Sequence, residues 1–180
     1  VYHPGFFMPE IADELFQELR EQTSWQQDKI KVYGKEHPQP RLTALYGNDG
    51  KPYSYSNIIM QPHPWTLLLQ KIKYQIESVA EVSFTTVLLN YYRDGKDSNG
   101  WHADDEKELG KNPVIASVSL GAARWFHLKH NMLDIKQKIL LEHGSLLIMK
   151  GTTQHFWKHQ ISKTAQPVGG RINLTFRIIH

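Results

Sequence analysis

His102 and Asp104 stand two residues apart, a second histidine, His159, follows far downstream, and the chain then runs Arg171-Ile172-Asn173-Leu174-Thr175-Phe176-Arg177. A His-x-Asp pair with a distant histidine can occupy one face of a metal and leave the opposite positions open. That is the 2-His-1-carboxylate arrangement of non-haem Fe(II) oxygenases. Of the three positions left on an octahedral iron, 2-oxoglutarate can fill two, through its C1 carboxylate and keto oxygen, and dioxygen the third. The far carboxylate then needs a fixed cation, and arginine offers a planar fork that lysine cannot match. His127, His130, His143 and His155 are alternative distal ligands; His155, close to His159, is the nearest rival.

The elements that must position these groups are legible in part. In the last strand, expected over Ile172–Ile179, Ile172, Leu174, Phe176 and Ile178 share one face and Arg171, Asn173, Thr175 and Arg177 the other. The first face is core. The second can point into a barrel at a co-substrate, and would equally suit solvent. By the same parity Asn90 and Tyr92 share a face of the run Val87–Tyr92. Further short runs at Thr85–Tyr92, Val114–Leu120, Arg124–Lys129, Lys138–Leu141 and Ser145–Met149 are β-branched or aromatic, and glycines bound several of them.

Upstream, Pro9 to Gln22 places Ile11, Leu15 and Leu19 at helical spacing. A second helix is expected from about Trp65 to Val79, burying Leu68, Leu69, Ile72 and Ile76. The stretch from Lys29 to Tyr55 reads as strands and loops. Two helices followed by six strands, with the period changing after Ser83, predict a helix-buttressed β-sandwich or jelly roll.

Composition narrows the class. The 180 residues suit one domain with a real core. With no cysteine there is neither a disulfide nor a thiolate zinc site. No apolar run approaches a membrane span and the start has no signal-peptide character, so an intracellular soluble protein is expected. The absence of an initiating Met suggests that residues precede Val1. A net charge of +3 and a pI near 9.0 suit a polyanionic partner without demanding one.

Taken together, Leu89-Asn90-Tyr91-Tyr92-Arg93-Asp94-Gly95, Trp101-His102-Ala103-Asp104-Asp105-Glu106, Ile115 to Ala122, His143 to Met149 and Arg171 to Arg177 resemble the AlkB-like 2-oxoglutarate- and Fe(II)-dependent nucleic-acid dealkylases. The resemblance is closest to animal homologues acting on alkylated DNA, and it covers nearly the whole chain. It implies a mainly β fold, a double-stranded β-helix with N-terminal helices. The whole of 1–180 would be one dioxygenase domain, with helices and a nucleotide-recognition lid in 1–82 and the jelly-roll core in 83–180. It implies His102, Asp104 and His159 as the Fe(II) ligands, Trp157-Lys158-His159 fitting the pattern better than His155. Asn90, Tyr92, Arg171, Asn173, Thr175 and Arg177 would form the 2-oxoglutarate pocket, Arg171 at the far carboxylate and Arg177 nearer the C1 end.

The reaction implied is oxidation by O2 of the N-alkyl group of a base such as 1-methyladenine or 3-methylcytosine, releasing formaldehyde, succinate and CO2. Val32-Tyr33-Gly34-Lys35 resembles the finger with which duplex-acting relatives wedge beside a flipped base, lysines meeting phosphates. Tyr53-Ser54-Tyr55 resembles the lid that stacks on that base. Without the resemblance these tyrosines read as ordinary packing. Asp105 and Glu106 would favour a cationic methylated ring over the neutral base, or form a solvated turn. The implied partner is alkylated DNA, duplex favoured over single strand or RNA. No membrane is involved and a monomer is expected, nuclear in a eukaryote or cytoplasmic in a bacterium. A protein or small-molecule hydroxylase, or a non-catalytic nucleic-acid-binding module, would share the fold.

Overall fold

The computed structural model describes residues 1–48, 53–55 and 58–180, excepting the side chains of 32, 53–55 and 58. Helix α1 (Pro9–Gln22) begins on a proline, whose fixed φ suits the first turn and whose missing N–H costs nothing there. Its buried stripe is Ala12, Leu15 and Leu19. Ile11, expected inside, is 46% exposed, because the stripe is phased one residue later. Helix α2 (Leu67–Ala80) starts where the Thr66 side chain accepts a hydrogen bond from the Leu69 N–H, and it buries Leu69, Ile72 and Ile76. Leu68 is only half-buried.

The strands are β1 (Tyr2–His3), β2 (Lys29–Val32), β3 (Lys35–Pro38), β4 (Leu42–Gly47), β5 (Tyr53–Tyr55), β6 (Ile58–Met60), β7 (Thr86–Tyr92), β8 (Asn99–His102), β9 (Ile115–Gly121), β10 (Arg124–His130), β11 (Lys136–Leu141), β12 (Ser145–Met149), β13 (Trp157–Ile161) and β14 (Arg171–Arg177). A short helix, α3 (Thr153–Phe156), precedes β13. The major sheet runs β1-β12-β9-β14-β7-β4 and the minor sheet β11-β10-β13-β8, while β2-β3 and β5-β6 are separate hairpins. From β7 to β14, every link except β10 to β11 crosses between the two large sheets, which is the winding of a double-stranded β-helix. The six expected strands are all present. Of the strands that sequence patterning missed, β8 and β13 complete the minor sheet.

Period-2 alternation sorts the major sheet into two faces. Val87 and Leu89 of β7, Ala116, Val118 and Leu120 of β9, Leu146 and Ile148 of β12, and Ile172, Leu174 and Phe176 of β14 form one core with the buried stripes of α1 and α2. The opposite face looks into the jelly roll. There Tyr92, Ile115, Leu147 and Met149 meet Phe126, Leu141 and Ile161 of the minor sheet in a smaller apolar cluster. The rest of that inner face is polar, and register lines it up: Asn173 of β14 lies opposite Asn90 on one side and Ser119 on the other, and Arg171 opposite Tyr92. A one-residue slip would turn every one of these groups to the helices, so the alternation that builds the core also aims the polar row inward.

Candidate active site

β8 ends on His102, and β13 brings His159 directly opposite it as a register partner. Their rings sit 4.3 Å apart between centroids. Asp104 follows two residues after the strand and is almost wholly buried. One ligand atom from each of the three lies within 4.8 Å of the others. His102 Nδ1 is 2.7 Å from the Gly100 carbonyl, so a proton there leaves Nε2 with its lone pair, 3.9 Å from Asp104 Oδ1. His159 stacks on Phe126 at 5.0 Å, and its buried Nδ1 has no hydrogen-bond partner among the described residues.

Electrostatics keep the cluster in the protonation states a metal requires. Burial lowers both imidazoles, His159 to about 3, with the neighbouring His102 adding to the effect. Both are therefore neutral at pH 7. Burial pushes the Asp104 carboxyl up, yet Arg177, His159 and His102 together outweigh it and hold the group at about 2. Arg177 Nη2 donates to Asp104 Oδ1 at 3.0 Å, a buried pair at the far end of β14 from Arg171. The Asp104 N–H donates to Gln154 Oε1 at 2.9 Å, fixing the backbone behind the carboxylate. A borderline-hard dication with open positions fits this donor set.

The rival histidines lie elsewhere. His155 Nε2 is 2.7 Å from Asn112 Oδ1, His143 pairs with Asp13 at 3.1 Å, and His130 stacks on Phe156. His127 lies opposite Lys138 and Gln160, on the outer face of the minor sheet.

One cavity is lined by His102, Asp104 and His159 together with Asn90, Tyr92, Arg171, Asn173, Thr175 and Arg177. Arg171 is 1% exposed, its guanidinium 5.2 Å above the Tyr92 ring and donating from Nη2 to Ser119 Oγ at 2.9 Å. Its Nε and Nη1 have no hydrogen-bond partner among the described residues. Burial lowers its pKa to about 10, so the cation persists at neutral pH with donors unspent. A buried cation in that state is costly unless an anion completes it, and a carboxylate matches its fork.

Asn173 and Thr175 line the cavity but also hold each other. Thr175 Oγ1 donates to Asn173 Oδ1, and Asn173 Nδ2 donates to Ser117 Oγ at 2.7 Å. Asn90 Oδ1 accepts from the buried Arg41 Nε at 2.9 Å. Arg41, Gln154, Ser117 and Ser119 were missed from the sequence. The serines were findable, since they take the inward parity of β9; Arg41 and Gln154 sit in no pattern.

Asp105 and Glu106 separate. Asp105 is exposed, whereas Glu106 is half-buried, with Oε2 buried and without a hydrogen-bond partner among the described residues. Burial, then the Asp104 charge, raises the Glu106 pKa. Tyr33 and Gly34 form the two-residue tip of the β2–β3 hairpin, both at positive φ (49° and 79°), as a type I′ turn requires. Tyr33 is fully exposed and Lys35 is exposed beside it. The side chains of Val32, Tyr53, Ser54 and Tyr55 lie outside the described residues.

The sequence profile of the 2OG-Fe(II) oxygenase superfamily matches residues 1–177. The chain is 41% identical to the mouse alpha-ketoglutarate-dependent dioxygenase alkB homolog 3, over 99% of this chain and 65% of that protein. The human DNA oxidative demethylase ALKBH2 is 38% identical, over 93% of this chain and 69% of its own length. The chain thus spans just under two thirds of the alkB homolog 3 proteins. Among solved structures, OsALKBH1 superposes with a TM-score of 0.68 at 21% identity, covering 98% of this chain and 96% of that one. A Trichoplax adhaerens prolyl hydroxylase reaches the same TM-score at 11% identity, over 99% and 82%. At such identities these two structures establish the fold alone.

Proposed function

This chain belongs to the 2OG-Fe(II) oxygenase superfamily, in its AlkB-like branch, and on that premise we propose that it oxidatively demethylates N-alkylated bases in DNA, acting as a monomer. The observation that carries the reading is the cavity that joins a neutral-His, ionised-Asp cluster to an arginine with unspent donors. The names of the relatives supply the substrate class, since one is a DNA oxidative demethylase.

In this proposal His102, Asp104 and His159 hold Fe(II). Fe(II) held there would supply the coupling of 2-oxoglutarate decarboxylation by O2 to oxidation of the N-methyl group, and the hydroxymethyl product would break down to formaldehyde and the repaired base. Arg171 takes the far carboxylate of 2-oxoglutarate through Nε and Nη1, while Ser119 and the Tyr92 ring hold the fork in place. Arg177, beside Asp104, serves the C1 end. Asn90, kept in position by Arg41, and Tyr92 close one wall, and the Asn173–Thr175–Ser117 network stiffens the other.

Glu106, rather than Asp105, faces a base cationic through methylation, as in 1-methyladenine or 3-methylcytosine; its buried oxygen without a partner is the support. Tyr33, exposed on the hairpin tip between Lys31 and Lys35, acts as the wedge that supports an extruded base in a duplex. By sequence resemblance, Tyr53, Ser54 and Tyr55 would serve as the lid over that base. The lid, hairpin and helices of 1–82 and the core of 83–180 work as one domain, in the compartment that holds the genome.

Mass spectrometry tests this. Single- and double-stranded oligonucleotides carrying 1-methyladenine or 3-methylcytosine are incubated with protein, Fe(II), ascorbate and 2-oxoglutarate. Loss of one methyl group with matching succinate is the expected result. Succinate release indifferent to every methylated oligonucleotide would overturn it in favour of a protein or small-molecule hydroxylase.

A further inference from the structure

The two long helices cover the outer face of the major sheet, but the outer face of the minor sheet is built differently. Parity fixes which side chains point outward: Phe126, Leu128, Ile139, His159 and Ile161 belong to the interior, so their neighbours along each strand face away. One row across three strands is then Lys136, Lys129 and Lys158, each directly opposite the next. The next row holds Lys138, His127 and Gln160. Directly opposed like charges destabilise a sheet. No carboxylate comes within ion-pair distance of these four lysines among the described residues.

Two tryptophans share this surface. Trp101 on β8 is 39% exposed with Lys129 Nζ 4.5 Å from its ring centroid, and Trp125 on β10 is 45% exposed with Lys138 Nζ at 4.4 Å. Partly exposed indoles among lysines of one sign make a platform on which bases can stack, displacing the lysine ammonium groups to the phosphates. An acidic peptide would satisfy the lysines but would leave the indole faces unused. Trp101 also adjoins His102, which points the other way, into the cavity. β8 is an edge strand of the minor sheet, so Trp101 stands at the border of this face.

We infer that the outer face of the minor sheet is a second binding site, for the single-stranded nucleic acid that flanks the reacting nucleotide. This rests on the proposed function and adds a surface outside the cavity. The site makes long single strands better substrates than short ones, through affinity and not through the chemical step.

The test compares Lys136→Gln/Lys138→Gln and, separately, Trp125→Ala with the intact protein and with Lys71→Gln on α2 as a control. Fluorescence anisotropy follows a labelled, unmodified oligothymidylate of about twenty nucleotides as salt is varied. Each phosphate contact on a single strand contributes about 0.7 to the slope of log K against log salt, so the double variant should lose about 1.4 from that slope. Its affinity should fall roughly ten-fold at low salt, and that of Trp125→Ala about five-fold. Turnover of a methylated trinucleotide, which carries almost no flanking strand to bind, should match the intact protein in both variants.

An unchanged slope and affinity in the double variant, or equal binding of polyglutamate of similar length by the intact protein, overturns the inference. Loss of trinucleotide turnover in the variants overturns it too, by showing that they act through the cavity. If the intact protein leaves the methylated trinucleotide and longer methylated strands untouched, the proposed function fails, while the salt slopes still decide the fate of this face.

Discussion

Strand β14 and the β2–β3 hairpin are both held in fixed register, and they differ in almost everything else. All seven residues of β14 are buried between β7 and β9. The hairpin pairs only with itself, and Lys31, Tyr33, Gly34 and Lys35 stand in solvent. On β14 a residue's role follows from what it touches: Phe176 meets Phe84 and Trp65, Arg171 meets Ser119 and Tyr92, and Arg177 meets Asp104. Among the described residues Tyr33 touches nothing comparable. Holding a large side chain at positive φ costs of order 1–2 kcal/mol. A tyrosine held there and left exposed is suited to a partner outside the chain.

The contrast can be broken most decisively at Asp104. Asp104→Ala removes a proposed metal donor and takes from buried Arg177 the carboxylate beside it. Turnover should fall to background and Fe(II) binding, read by calorimetry under anaerobic conditions, should weaken. Undiminished metal binding would falsify the ligand assignment. Next comes the helix-facing side of β14. Phe176→Ala empties a fully buried ring site and should cost about 3–5 kcal/mol in urea unfolding. The molecules that remain folded should keep their apparent KM for 2-oxoglutarate; a changed KM would mean that the two faces are coupled.

Arg171→Lys keeps the charge and removes the fork. The apparent KM for 2-oxoglutarate should rise about ten-fold, the effect of losing one charge-assisted hydrogen bond, with little change in unfolding midpoint. An unaltered KM would place the far carboxylate elsewhere. The smallest effect is expected at the hairpin. Tyr33→Ala should slow demethylation in duplex about ten-fold, each ~1.4 kcal/mol of lost support being a factor of ten. Single-stranded substrate should be unaffected and stability should move by less than about 0.5 kcal/mol. Equal slowing on both substrates would make Tyr33 a packing residue and remove the preference for duplex.

What could be read in the sequence follows the same division. β14 was legible because its two faces differ in chemistry at every position, and α1 because a proline and an apolar stripe mark it. β13 was not: Trp157-Lys158-His159-Gln160-Ile161 has little β-branched character, and its central inward position holds His159 rather than an apolar side chain. β8, Asn99-Gly100-Trp101-His102, failed for the same reason. The two strands carrying the histidines were thus the hardest to see, although the histidines themselves were plain. Ile11 misled because Ala12, a small residue, occupies the buried position beside it. Gln154 and Arg41 act through single hydrogen bonds, which leave no periodic trace.

The place of β14 in the major sheet has a kinetic consequence. β7 and β9 meet only through it, so before β14 inserts, the sheet is two fragments, each with an unsatisfied edge. Those contacts join segments far apart in the chain, which makes the closing step slow relative to local hairpins and helices. Until that step is complete, the exposed edges are templates for pairing with another molecule. Refolding yield should therefore fall with protein concentration, and whatever delays insertion of β14 should lower it further.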